Sequence, residues 1–292
     1  MSEPLRLATR GSLLARAQSQ QVADAITAAS GRPVELVIIS TRGDRVQDRP
    51  LAEVGGKGLF TKELEEALLE GSVDFAVHSM KDMPTEQPEG LGFAAVPERV
   101  DPRDVLVGST LAALPQGAVL GTGSLRRARQ IAAVRPDLDI RGIRGNVDTR
   151  INKQRAGEYD AIVLAAAGLA RLGRSDDVSE ALATDVVLPA VGQGALALQI
   201  RLDRQEVHAA LAAIHHPPTA AAVDAERSFL ATISGGCSVP AACFAEVVDG
   251  RLWVRGRYAP EVDGGIRHAE VRGALADAVS LGAEVARQVM QD

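Results

Sequence analysis

Short apolar stretches alternate with amphipathic helical stretches along the first two thirds of the chain, and this alternation restricts the fold more than any other feature. Leu5 to Thr9 predicts a strand, Arg10-Gly11-Ser12 a turn, and the residues that follow an amphipathic helix with Ser12 at its N-cap. Val34 to Thr41 is nearly continuously apolar, which is typical of a buried strand in a parallel sheet. The pattern predicts α/β lobes.

The same strand, turn and helix recur later in the chain. Ala118 to Thr122 predicts a strand, and Gly123-Ser124 a turn into a helix that carries Leu125 and Ile131. The N–H groups and positive dipole at such a corner favour a bound anion such as a carboxylate. The alternative for Arg10, beside the first corner, is a surface turn residue.

A second informative stretch is Asp74 to Pro84, where an apolar strand ends in polar and charged residues. It places Ser79, Lys81 and Asp82 at the carboxyl end of a strand, the edge at which open α/β sheets bind ligands. A carboxylate there could accept amine or pyrrole N–H bonds, or transfer protons. The alternative is a simple Lys81–Asp82 surface pair.

Charge is unevenly distributed along the 292 residues. The net charge is −6, yet basic residues outnumber acidic ones between Gly121 and Arg155, and nearly all of them are arginine. Arginine matches carboxylates or phosphates in two-point contacts, so this region predicts a local anion site. Solvated helix faces are the alternative for Arg129, Arg135 and Arg155.

Cys237 lies in a loop of small residues, Ser234 to Pro240, directly after an amphipathic helical stretch. A lone cysteine is most often a small buried hydrophobe. Spacing to Cys243 does not suit a zinc site, and a disulfide is poorly motivated in a chain of this size. Because the loop offers no apolar cover, a nucleophile or covalent attachment point remains; we expect no metal, and Cys243 as a packed strand residue.

The C-terminal part has a different pattern. Ala245 to Val254 predicts a hairpin with an Asp249-Gly250 turn, followed by a third strand and a final helix. We therefore expect two lobes with mainly parallel sheets, lobe 1 at residues 1–98 and 195–214 and lobe 2 at 99–194, and an α+β domain with a three-stranded antiparallel sheet at 215–292. Pro97 to Asp104 is interpreted as a hinge.

No apolar signal region or bilayer-length apolar run occurs in the sequence, so we expect a cytoplasmic protein without a membrane partner and with reduced cysteines. The acidic balance and 3 % aromatic content argue against a nucleic-acid partner.

Several motifs in this order resemble those of the porphobilinogen deaminase family, almost from end to end. They are Ala8 to Ser12, Val54 to Phe60, Ala76 to Asp82, Gly121 to Arg127, Arg144 to Arg150, Leu188 to Gly194, and Glu226-Arg227 with Gly235 to Pro240. The resemblance implies three domains, the first two built like the lobes of periplasmic binding proteins. It also implies an enzyme that deaminates porphobilinogen and condenses four molecules head to tail into hydroxymethylbilane, for haem and related tetrapyrroles.

By the same resemblance, Cys237 holds a dipyrromethane cofactor through a thioether, and Asp82 promotes loss of ammonia and stabilises the cationic azafulvene. Phe60, beside the Lys57 loop, stacks on pyrrole rings. The remaining residues implied to bind the acetate and propionate groups are Arg10, Ser12, Lys57, Ser79, Lys81, Thr122, Ser124, Arg126, Arg127, Arg144, Arg150 and Arg171. The resemblance favours a monomer.

Two hypotheses of other classes compete. A two-lobe binding protein that grips a small carboxylate explains the lobes and the arginines, but gives no purpose to the third domain or to the loop at Cys237. An arginine-rich nucleic-acid binder is opposed by the net charge.

Overall fold

The structure is a computed structural model, and it describes residues 3–41, 43, 61–233, 240–260 and 265–291. Its backbone forms two compact units, one of residues 1–99 and 195–220, the other of residues 100–194 and 221–292. The boundaries of the three domains expected from the sequence stay a prediction.

The strands are, in chain order, β1 (Leu5–Arg10), β2 (Val34–Ile39), β3 (Phe75–Ser79), β4 (Leu91–Ala95), β5 (Asp104–Val107), β6 (Val119–Gly121), β7 (Asp139–Arg141), β8 (Ala161–Ala165), β9 (Glu180–Ala181), β10 (Leu196–Arg201), β11 (Ala241–Val248), β12 (Arg251–Tyr258) and β13 (Arg267–Gly273). The α-helices are α1 (Leu13–Ser30), α2 (Lys62–Leu69), α3 (Leu125–Val134), α4 (Val147–Arg155), α5 (Ala166–Arg171), α6 (Gln205–Ala212), α7 (Pro217–Thr232) and α8 (Ala278–Met290).

The first unit is built on a five-stranded sheet in the order β2-β1-β3-β10-β4. β1 pairs in parallel with β2 and β3, whereas β10 is antiparallel to both of its neighbours. Because the side chains of a strand alternate, Leu7 packs with Ile26 of α1 on one face, and Ala8 packs with Leu64 of α2 on the other. Helices therefore cover both faces, as expected for an α/β lobe.

One expectation about this sheet is wrong. β2 is half-exposed along its length and Ile38 is 55 % exposed, although the apolar run predicted a buried strand. The reason is position: β2 lies at the edge of the described sheet, where only β1 pairs with it.

The second unit contains a sheet with the same plan, in the order β7-β6-β8-β5-β9. β6 pairs in parallel with β7 and β8, and β5 is antiparallel to β8 and β9. In each five-stranded sheet, four strands thus run in one direction and one strand runs against them. The two predicted α/β lobes are confirmed, and their sheets are mixed.

A separate antiparallel sheet, β11-β12-β13, belongs to the same unit. Asp249 and Gly250 both have positive φ, 52° and 73°, which suits the tight hairpin turn predicted for them. Val254 and the fully buried Cys243 pack in one cluster with Phe229 of α7. The third sheet and the packed position of Cys243 are confirmed.

Gly282 of α8 is required by the packing of this part. A Cβ at Gly282 would lie 1.9 Å from the carbonyl oxygen of Ala225 in α7, so the two helices touch through backbone. Alanine ordinarily favours a helix over glycine by about 1 kcal/mol, but here overpacking outweighs that gain.

We expect Gly282→Ala to lower the free energy of unfolding by about 2 kcal/mol or more, measured by urea denaturation. Gly265→Ala is the matched control, because nothing lies within 4 Å of its added Cβ. Equal stability of both variants would contradict the close contact between α7 and α8.

Candidate functional site

Asp82 lies directly after β3, in a single turn of 3-10 helix formed by Met80–Asp82. The side chain of Met80 is buried and its N–H donates to the carbonyl of Ala195 at 3.1 Å. The Asp82 side chain is exposed, and among the described residues it has no ion pair or hydrogen bond, so a Lys81–Asp82 pair is not formed there. The predicted position of Asp82, at the carboxyl end of a strand, is confirmed.

The first corner forms as predicted. β1 ends at Arg10, and the Oγ of Ser12 accepts a hydrogen bond from the N–H of Ala15 at the start of α1. The remaining N–H groups of the first turn of α1 are available to an anion in this geometry. Ser79, half-buried, ends β3, the strand beside β1.

His78, four residues before Asp82 in the chain, is a buried side chain that the sequence reasoning did not assign. Its Nε2 lies 3.1 Å from Oε1 of Gln199 on β10. Burial lowers the pKa of His78 to about 4; the hydrogen bond to Gln199 opposes this shift, and the charge of Arg10 adds to it. The imidazole is therefore neutral at physiological pH.

The second corner, in the other unit, follows β6. The N–H of Ser124 donates to Oγ1 of Thr122 at 3.2 Å, and the Oγ of Ser124 accepts from the N–H of Arg127 at 3.5 Å. Ser124 is the N-cap of α3, as predicted. This turn places Arg126 and Arg127 in the first turn of the helix.

Both of these arginines bind an internal carboxylate. Nη1 of Arg126 lies 2.7 Å from Oδ2 of Asp104, and Nη2 of Arg127 lies 2.7 Å from Oδ1. Gln193 donates to the same Oδ1 at 2.8 Å, and Asp104 is fully buried. Burial alone would raise the pKa of Asp104, but the two guanidiniums outweigh it and hold the pKa well below its usual range.

Asp104 was missed because Pro97 to Asp104 was interpreted as a hinge, whereas Asp104 is the first residue of β5. A signal was present in the sequence: a carboxylate opens the apolar stretch Val105 to Val107, and a buried charge of that kind needs a partner.

Three further predicted arginines lie in the second unit. Arg144 is exposed before α4, Arg150 donates through Nε to the carbonyl of Gly145 at 2.7 Å, and the mostly buried Arg171 donates to the carbonyl of Gly194 at 2.8 Å. Burial lowers the pKa of Arg150, and the charges of Arg127 and Arg144 add to this shift. Arg127, Arg144 and Arg150 therefore share one positive region. Burial also lowers the pKa of Arg171 to about 10.

Lys57, Phe60 and Cys237 lie outside the described residues. Within residues 3–41, 61–233, 240–260 and 265–291, no cluster of His, Cys, Asp and Glu side chains is arranged to hold a metal ion. In the same ranges no helix is both long and apolar enough to cross a membrane.

Family models identify the class of protein to which this chain belongs. A family model described as the dipyromethane cofactor binding domain of porphobilinogen deaminase matches residues 5–209. A second model, the C-terminal domain of porphobilinogen deaminase, matches residues 220–291. The chain belongs to the porphobilinogen deaminase family. Its activity is that of a hydroxymethylbilane synthase in tetrapyrrole biosynthesis, and it contains the domain that binds dipyrromethane.

Solved structures with a similar backbone include two periplasmic proteins. A substrate-binding protein of an ABC transporter from Coxiella burnetii is 14 % identical, with a TM-score of 0.43, over 74 % of this chain and 94 % of that one. The aliphatic sulphonate binding protein of Escherichia coli is 15 % identical, with a TM-score of 0.42, over 80 % of this chain and 71 % of that one.

The shifted pKa of His78 predicts how stability depends on pH. Above about pH 6.5 the imidazole is neutral in both the folded and the unfolded protein, so it does not change the free energy of unfolding. As the pH falls towards 4, the imidazole becomes protonated in the unfolded chain but stays neutral in the folded one. We expect this group to remove up to about 3 kcal/mol of unfolding free energy across that window, after which its effect is complete.

His78→Gln removes the titrating group and keeps an N–H donor at the same end of the side chain. Urea unfolding at about pH 7 and about pH 5 should give a smaller difference for this variant than for the unchanged protein. Identical differences would mean that His78 titrates normally in the folded protein.

Proposed function

We propose that this chain builds hydroxymethylbilane on a dipyrromethane attached through a thioether to Cys237, with Asp82 as the catalytic carboxylate. The observation that carries the proposal is the exposed Asp82 side chain, without a partner among the described residues, at the carboxyl end of β3. An unpaired carboxylate at a ligand-binding edge keeps its negative charge for the substrate.

The described cationic residues fit the chemistry of such a cofactor. A dipyrromethane carries an acetate and a propionate on each pyrrole unit. Asp104 offsets one charge of the pair Arg126 and Arg127, so these two arginines together with Arg144, Arg150 and Arg171 keep an excess of positive charge among themselves. Thr122 and Ser124 at the corner before α3 add polar groups. When bound, the cofactor supplies the pyrrole carbon to which the first substrate is joined.

Asp82 acts on the substrate through charge and proton transfer. Its carboxylate accepts the pyrrole N–H and stabilises the positive charge that develops when ammonia leaves the aminomethyl group. It then assists removal of the proton released when the new carbon–carbon bond forms. Arg10, Ser12, Ser79 and Lys81, on the neighbouring ends of β1 and β3, supply contacts for the substrate's carboxylates, and the roles of Lys57 and Phe60 stay as the family resemblance implies them.

The two-lobe binding protein remains the competing function for the same arginines. It requires neither a covalent group at Cys237 nor a catalytic carboxylate at Asp82. Because of the covalent group, the two hypotheses predict different masses for the intact protein. A cytoplasmic, monomeric state is part of our proposal.

We expect the purified protein to carry a mass excess of two linked pyrrole units on the peptide that contains Cys237. Cys237→Ser should lack this excess, because a hydroxyl is a much weaker nucleophile than a thiolate. Asp82→Asn should keep the cofactor and lose at least about a hundredfold in kcat, since it removes the charge that stabilises the transition state. Intact-protein mass spectrometry with peptide mapping, and product formation from porphobilinogen, measure these outcomes.

An unmodified protein that stays unmodified after incubation with porphobilinogen would favour the binding-protein hypothesis. Near-normal turnover by Asp82→Asn would leave the cofactor assignment intact and remove the catalytic role of Asp82.

Replacing the buried and the exposed arginines by leucine should have different effects on stability and on chain elongation. Arg127→Leu leaves the carboxylate of Asp104 buried with one partner fewer, so it should lower the unfolding free energy by about 3 kcal/mol. Arg144→Leu, at an exposed position, should change it by less than about 1 kcal/mol and still weaken chain elongation roughly tenfold. Urea unfolding and single-turnover elongation distinguish the two effects. Normal elongation by Arg144→Leu would exclude Arg144 from carboxylate binding.

A further inference from the structure

The turn that carries Asp82 is held at its first end, at Met80, by the chain at the start of strand β10. The carbonyl of Ala195, directly before β10, accepts the hydrogen bond from the N–H of Met80, and β10 then pairs with β3. Met80 stands two residues before Asp82. This side of the turn is therefore fixed by backbone hydrogen bonds.

Side chains hold the other end. Nε2 of Gln199 on β10 donates to Oε1 of Gln87 at 2.9 Å, and Nε2 of Gln87 donates to the carbonyl of Pro84 at 2.9 Å. Pro84 stands two residues after Asp82. The chain is thus tied to β10 at equal distances on both sides of the exposed carboxylate.

The direction of these hydrogen bonds also determines the tautomer of His78. Both amide nitrogens act as donors, so Oε1 of Gln199 must accept, and His78 is the donor at 3.1 Å in its Nε2–H tautomer. Gln199 is fully buried and His78 is 6 % exposed. We call the hydrogen-bonded side chains of His78, Gln199 and Gln87 the amide relay. Because buried polar groups without partners are costly, these three side chains strongly favour this one arrangement.

We propose that Gln199 is a positioning residue for the catalytic step, because the amide relay fixes the Pro84 end of the turn and so directs the Asp82 carboxylate. The Asp82 side chain itself has no partner among the described residues that could orient it, so its direction is set by the backbone on either side. A turn released at Pro84 would still bind substrate through the arginines, but would hold the carboxylate in the productive geometry for less of the time. This inference rests on the role proposed above for Asp82.

Gln87 offers the cleanest test, because it is half-buried at the end of the amide relay and its loss should not prevent folding. Gln87→Met and Gln199→Met should each lower kcat about tenfold with KM changed by less than about twofold, and cofactor content by intact mass should be unchanged. The double variant should lose no more than either single one, because both break the same relay. Glu89→Ala, at an exposed position of the same loop, is the control and should keep full kcat.

Hydrogen exchange provides a readout other than activity. The backbone amides of residues 82, 83 and 85–87 should exchange about tenfold faster in Gln87→Met, with the rest of the protein unchanged, since only local opening is made easier. His78→Gln keeps an N–H donor for Gln199 and should retain both protection and kcat, whereas His78→Phe should behave like Gln199→Met.

An unchanged kcat in Gln87→Met and Gln199→Met, or a rise in KM alone, would overturn the positioning role. Faster exchange throughout the unit would instead assign the relay to general stability, which also overturns it. If Asp82→Asn retained turnover, the proposed function of Asp82 would fail, whereas the exchange data would still report on the relay; the two failures are therefore distinguishable.

Discussion

The ion pairs between Asp104 and the guanidiniums of Arg126 and Arg127 are the interaction on which the arginine-rich corner of the second unit depends. One buried carboxylate cannot neutralise two guanidiniums, so the cluster keeps a net positive charge. At the same time it fixes the first turn of α3 against β5, since Asp104 begins that strand. A buried ion pair contributes little net stability, but its geometry is strongly specified because each missing partner is costly. Asp104 thus sets the direction of the arginines rather than competing for their whole charge.

The two five-stranded sheets explain why polar groups converge at these places. In each sheet one strand runs against the other four, and it begins at the edge where an antiparallel neighbour ends. Asp104, the first residue of β5, pairs with Ala165 at the end of β8. Leu196, the first residue of β10, pairs with Ser79 at the end of β3. Residues at the start of the antiparallel strand, or directly before it, therefore lie at the edge where β8 or β3 ends: Asp104 contacts Arg126 and Arg127 in one unit, and Ala195 contacts the Asp82 turn in the other.

Sequence reasoning succeeded wherever the cause is local. Ser12 and Ser124 cap helices through hydrogen bonds to residues three positions away, and the Asp249-Gly250 turn needs only the φ preferences of its own residues. It failed where the partner is distant in the chain. Asp104 is 89 residues from Gln193, and Gln199 is 112 residues from Gln87, so no spacing pattern could pair them. The edge position of β2 was missed for the same reason, because exposure depends on which strands become neighbours.

Asp104 and Asp82 differ in burial, and this difference determines what each carboxylate interacts with. Asp104 has no exposure and four hydrogen bonds from two arginines and a glutamine, so its charge is used within the protein. Asp82 is exposed and has no described partner, so its charge is not used within the described part of the protein, and the function proposed above assigns it to the substrate. Had Asp82 been paired like Asp104, it could not stabilise a developing cation without first breaking an ion pair. The structure therefore holds Asp82 by its backbone at Met80 and Pro84, which leaves the carboxylate itself unpaired.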